Sequence, residues 1–170
     1  MGSKAKFGLA VVGILAVMAG SGALFVGSGV YNIGADDHHT KVVLALIERL
    51  RERSIEVRAR TIDVPQLEDP HRVAAGAERY AALCVGCHLA PGVTRSDIRP
   101  GLYPHPPSLA QEEVRDSPRA FWTIKHGIKM SAMPAWGKSL DDGAIWDLVA
   151  FVRKMPEMTP EIYQQLSQGH

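Results

Sequence analysis

The chain has almost no cysteine. Its 170 residues hold two, and both fall within one run, Cys84-Val85-Gly86-Cys87-His88. None is left over for a disulfide, and a four-cysteine zinc site lacks its second pair. Net charge is nearly absent too. Nineteen Lys and Arg against eighteen Asp and Glu give +1, so nothing global argues for nucleic acid. The length alone sets a prior of one domain. The sharpest absence is local: no charged residue occurs from Phe7 to Ala35.

The two cysteines form a C-x-x-C-H run, the attachment pattern of a c-type haem. Two thiols three positions apart on a helical turn reach the two vinyl groups of one porphyrin and form thioethers. His88 then offers its imidazole to the iron as proximal ligand. A redox dithiol of the thioredoxin kind needs a βαβ context, and the chain has none.

Phe7 to Tyr31 is 25 residues, mostly Ala, Val, Leu, Ile, Met and Gly, with Lys4 and Lys6 just ahead. About 20 apolar residues span a bilayer. Ser21-Gly22-Ala23 imitates a signal-peptide cleavage site, but apolar residues continue through Leu24, Phe25, Val26, Val30 and Ile33. That run is long for a signal core of ~7–15 residues and favours an uncleaved anchor. Lys4, Lys6 and the α-amine place the N-terminus in the cytoplasm. Lys41, Arg49, Arg51 and Arg53 on the far flank make the basic count ambiguous. The haem breaks the tie, because such sites mature outside the bacterial cytoplasm and a long translocated domain is little affected by flanking charge. Ala19, Ala23 and Gly27, four apart, offer a stripe for another membrane helix, or are ordinary small residues of a membrane span.

Residues 36–70 read as a connector. Val43, Leu46, Ile47 and Leu50 fall at i, i+3, i+4 and i+7, one face of a helix from about Thr40 to Arg53. Such a stripe needs cover from membrane, haem domain or partner. Residues 54–69 read as extended chain. Asp36-Asp37-His38-His39 reads as a solvated junction, with a metal site as the lesser alternative.

Residues 71–155 read as a helical haem domain and 156–170 as a tail. The first helix runs Arg72 to Leu83, with Gly76 and Tyr80 on one face. A second helix can approach closely at Gly76. The natural partner is the last helix, capped by Ser139, where Ile145, Leu148, Val149 and Val152 repeat at helical spacing. Between them, Ser117 caps a helix with Pro118 at its first turn and Gly127 at its end. Prolines at 91, 100, 104, 106 and 107 make residues 90–110 a loop that wraps the haem.

A sixth ligand to iron is sought in the loop after Gly127. Met133 is the first candidate, 45 residues beyond His88, and Met130, 42 beyond, is the next. His126 and His105 come last. Thioether sulfur raises the potential of a low-spin haem. Pro134 stiffens this loop, and Trp136 can pack beside the haem edge.

With these residues in view, the domain resembles a class I c-type cytochrome. The matching positions are Cys84-Val85-Gly86-Cys87-His88, Gly76 with Tyr80, Leu148 with Phe151, Pro106-Pro107-Ser108-Leu109 and Met133-Pro134-Ala135-Trp136-Gly137. The resemblance is closest to single-haem modules of periplasmic dehydrogenases and oxidase complexes. It implies that the first and last helices cross at the Gly/aromatic pair. It also implies that a proline carbonyl, here Pro107, accepts the Nδ1–H of the proximal histidine. It leaves residues 1–69 uncovered, and with them the identity of the partner.

The expected architecture is all-α: a transmembrane helix (1–35), an amphipathic connector and a cytochrome c-like domain holding one covalent haem c. The expected function is single-electron transfer, with the protein held in the bacterial cytoplasmic membrane and the haem in the periplasm. The expected partners are a redox donor and acceptor, as in a respiratory or dehydrogenase complex, with no nucleic acid. The competing readings are a five-coordinate haem enzyme or gas sensor, and an assembly subunit. Residues 71–155 carry 11 Lys and Arg against 8 Asp and Glu. Lys125, Lys129 and Lys138 flank the Met133 loop and form a candidate docking rim for an acidic partner.

Overall fold

The computed structural model describes residues 2–168. Regular structure among them is helical, apart from one isolated bridge between Ala90 and Val93. The chain divides into two units, one ending at Asp37 and one beginning at His38.

The first unit is one long helix, α1 (Ser3–Ser28), closed by Gly29 in the left-handed conformation. Its 26 residues rise about 39 Å at ~1.5 Å each. It is long and apolar enough to cross a membrane, and none of its side chains is buried.

The second unit opens with α2 (Lys41–Ala59), which Thr40 caps through the Val43 amide. This helix is longer than the periodicity predicts. Residues 54–59, expected as extended chain, are its last turns. Ile55 and Ala59, one turn apart, are buried there. Glu56 ties Arg53 and Arg60 along the same helix. The brief Ile55/Val57 alternation mimicked a strand. The expected stripe is not the docked face: Leu46, Ile47 and Leu50 stay exposed, while Glu52 reaches Arg119 of α5 (Ser117–His126).

The core forms around α3 (Pro70–Leu83) and α6 (Asp142–Lys154). Ile145, Leu148, Val149 and Val152 of α6 are buried, as their spacing predicts. Each fully buried aliphatic or aromatic side chain contributes about 1.5–3 kcal/mol. Tyr80 and Phe151 are both fully buried, with ring centroids 5.1 Å apart. A second cluster stacks Phe121 of α5 on Trp146 of α6 at 4.2 Å.

Two caps differ from expectation, and α3 starts earlier than expected. Asp69 caps α3 through His71 and starts it at Pro70. Asp116, not Ser117, caps α5, leaving Ser117 to accept from Arg153. Asp141, not Ser139, caps α6 through Ala144. At Asp116 and Asp141 a carboxylate stands next to or near a plausible hydroxyl, and both residue types favour the N-cap. Within the expected 156–170 tail, the described residues 156–168 are not a plain tail. Met155–Glu157 form a 3₁₀ turn, and α7 (Pro160–Ser167) buries Tyr163 against Phe151.

Candidate haem-binding site

The site begins where α3 ends. Cys84 terminates α3, and a four-residue turn, α4 (Val85–His88), follows at once. Cys84, Cys87 and His88 therefore share one helical turn. All three are half-buried. Burial, with Cys87 adding a smaller share, pushes the Cys84 thiol up to about 12, so before any thioether forms it is a protonated thiol.

The chain leaves α4 through a constrained residue. Leu89 is buried and holds φ 60 with ψ -177, an extended positive-φ conformation that costs a non-glycine residue about 1–3 kcal/mol. Its carbonyl accepts the buried Tyr80 hydroxyl at 2.6 Å. Tyr80 thus links the crossing of α3 and α6 to the exit of the Cys-His turn.

The proline-rich stretch 90–110 is a loop with one 3₁₀ turn, Arg99–Gly101. It closes over α4 through several bonds. The Leu109 amide donates to the His88 carbonyl at 3.2 Å, and the Ser96 hydroxyl donates to the Gly86 carbonyl. His88 Nδ1 lies 3.0 Å from the Pro107 carbonyl. A carbonyl only accepts, so Nδ1 carries the proton and Nε2 holds the free lone pair. Burial pulls the His88 imidazole below its ordinary value, against the pull of the Pro107 bond; Arg99 lowers it further and Glu112 raises it. The neutral ring is the form that binds a metal.

Met133 is half-buried. Its amide is held by the Ser131 hydroxyl at 3.2 Å, and its carbonyl accepts from Ile128 at 3.2 Å. Gly127 sets this loop. It has φ 64, and a Cβ there would lie 2.7 Å from the Met133 carbonyl oxygen and 2.6 Å from the Pro134 carbonyl carbon. Trp136 opens a 3₁₀ turn and is half-buried. The rival ligands are placed differently. Met130 is 92% exposed with φ 58. His126 is exposed and lies on Trp122, with ring centroids 4.8 Å apart. His105 Nδ1 is 2.9 Å from the Leu102 carbonyl.

Two residues escaped the sequence reading. Among the described residues, Arg99 Nε and Tyr103 OH are the buried side-chain atoms without a hydrogen-bond partner. Arg99 also donates to the Pro106 carbonyl at 2.8 Å, next to the carbonyl that fixes His88. A buried donor without a partner costs about 1–3 kcal/mol. Two thiols, one neutral imidazole and two orphaned donors make a set that fits a haem, whose carboxylates would satisfy the last pair. Arg99 stands in a loop rich in turn residues, and only its burial marks it.

Tyr103 also carries His38 and His39, whose rings stack at 4.5 Å and meet its edge at 5.5 Å. Asp36, Asp37 and His38 are exposed, as a solvated junction predicts, and the two histidine rings add a contact with Tyr103. Among the described residues, no three His, Cys, Asp or Glu side chains cluster as a metal site. The lysine rim is also modified. Lys125 pairs with Asp142 at 2.6 Å, which leaves Lys129 and Lys138 as its exposed cations.

Residues 71–152 match the protein family described as cytochrome c oxidase, cbb3-type, subunit III. This segment is a cytochrome c domain of that family. It contains one Cys-x-x-Cys-His run, so it is a monohaem electron-transport module.

Proposed function

We propose that this protein relays single electrons on the periplasmic face of a bacterial cytoplasmic membrane, held there by an uncleaved α1 with its N-terminus inside. Cys84 and Cys87 would hold one haem c through thioethers, and His88 and Met133 would supply its two protein ligands to iron. The observation that carries the reading is the His88–Pro107 hydrogen bond of 3.0 Å. It fixes the ring with Nε2 free, on the same turn as both thiols.

When bound, haem c supplies reversible one-electron iron chemistry. The chain's own residues do the rest. The Pro107 carbonyl orients His88 and raises its basicity. Met133 fills the position a substrate would need and favours the reduced state. Arg99 and Tyr103 would donate to the haem carboxylates, and Trp136 would shield the edge near the Met133 loop. With His88 and Met133 both holding the iron, no position would be left for a substrate, and the chemistry supplied would be electron exchange alone. The family match supports a respiratory oxidase complex as partner, with the haem domain as its donor-side module.

The test is spectroscopic. The ferric holoprotein is expected to show a sulfur-to-iron charge-transfer band, and the ferrous protein to leave added carbon monoxide unbound. Met133→Ala should lose the band, bind carbon monoxide and lower the potential. A band that survives Met133→Ala but vanishes in Met130→Ala overturns the ligand assignment. Ready carbon monoxide binding by the unaltered protein would favour the gas-sensor reading instead.

A further inference from the structure

Helix α2 has two faces with different surroundings. One packs on the haem domain through Ile55 and Ala59, both buried, and through Glu52 to Arg119. The other carries Val42, Leu46, Leu50 and Val57, which are 79%, 70%, 71% and 46% exposed. At about 100° per residue, Val43 and Ile47 widen this sector to roughly 140°. Arg49 lines one border of the sector and Arg58 the other, while Arg53 falls just inside it, between Val42 and Leu46.

A seam that receives one partner helix is narrower than this, being confined to a and d positions. A broad apolar face edged by arginines suits a helix lying in the headgroup region. There the apolar side chains enter the acyl boundary, and the arginines extend to phosphates. The covalent context points the same way. Only residues 29–40 separate this helix from the apolar α1.

We propose that the Val42/Leu46/Leu50/Val57 face of α2 lies on the surface of a phospholipid bilayer. The inference rests on reading α1 as a membrane anchor. Its consequence is that the haem domain is not a free head on a leash. It stands on α2, whose opposite side is docked on α5, so one orientation toward the membrane is favoured.

The test uses the full chain with haem attached, reconstituted in phospholipid nanodiscs. Thioethers occupy both native cysteines, so single cysteines introduced by Leu46→Cys, Leu50→Cys, Glu48→Cys or Val17→Cys can be spin-labelled. Relaxation by oxygen reports lipid, and relaxation by a water-soluble nickel chelate reports solvent. Labels at 46 and 50 are expected to be several-fold more accessible to oxygen than to nickel relative to the label at 48. Solvent-like values at 46 and 50 with a lipid-like value at 17 overturn the proposal and leave the anchor intact. Lipid-like values at 46 and 50 with a solvent-like value at 17 support the surface contact and remove the anchor. Solvent-like values at all three overturn both.

Discussion

Gly76 of α3 meets the backbone of Asp147 in α6: a Cβ on Gly76 would lie 2.1 Å from the Asp147 carbonyl oxygen. The Asp147 side chain binds Arg72 at 2.9 Å and Arg79 at 3.2 Å. These arginines stand one turn before and one turn after Gly76 on α3. The helices are thus pressed together at a glycine and clamped on both sides of it.

Gly76→Ala should therefore be destabilising although alanine is the better helix former. Propensity would gain about 1 kcal/mol. A Cβ against backbone has no flexible neighbour to displace, and overpacking costs about 1–3 kcal/mol or more. The midpoint of denaturant unfolding of the holoprotein should fall. An unchanged or raised midpoint would show that α6 can move away freely.

Gly127→Ala should act on the Met133 loop rather than on the helical core. Its φ of 64 and its contacts with the Met133 and Pro134 carbonyls leave no room for a Cβ. The expected result is a weakened sulfur-to-iron band and a lowered potential, with the helical circular dichroism retained. Loss of helix content with an intact band would contradict this.

Tyr80 should give the protein an alkaline limit. Burial, with smaller effects from Cys84 and Tyr163, raises its pKa far above the usual phenol value. Burial raises Tyr163 as well. The unfolded value is about 10, so the folded chain keeps its proton where the unfolded chain loses it. The stabilisation is fully present below about pH 10 and is lost as pH climbs toward the folded pKa, by up to about 1.4 kcal/mol per pH unit for each tyrosine. Tyr80→Phe leaves the Leu89 carbonyl unpaired and should cost about 1 kcal/mol at neutral pH, while making the alkaline fall shallower. Equal slopes for both proteins, in unfolding measured at several pH values, would remove Tyr80 as the cause.

Lys129 and Lys138 should set the salt dependence of electron transfer to an acidic partner. Lys125 is held by Asp142, so its charge is largely spent locally. Charge reversal at Lys129 and Lys138 together should slow association several-fold at low salt and leave the spectrum unchanged. The difference should shrink as the Debye length falls to about 8 Å. A rate indifferent to both salt and reversal points to a partner held permanently by other surfaces.

Much of this protein is legible from local pattern. A C-x-x-C-H run is chemistry written in four consecutive steps of chain, and a charge-free apolar stretch needs no tertiary partner to be recognised. Gly76 was legible as a crossing point because glycine on a helix face has few other uses, and the apolar repeat of α6 named its partner. Other features depend on what folds against them. Asp116 and Asp141 compete with nearby serines for the same caps, and only the backbone geometry chooses between them. The last turns of α2 looked extended because their two apolar positions, Ile55 and Ala59, gain meaning only when α5 covers them. Tyr163 became core because Phe151 was there to receive it. Arg99 and Tyr103 carry no sequence signal at all, since an orphaned donor is defined by burial, and burial belongs to the tertiary structure. The sequence alone determined the chemistry of attachment and the apolar span; the fold decided which donors are orphaned, which lysines stay unpaired and which face of α2 is left exposed, because each of these depends on contacts between residues far apart in the chain.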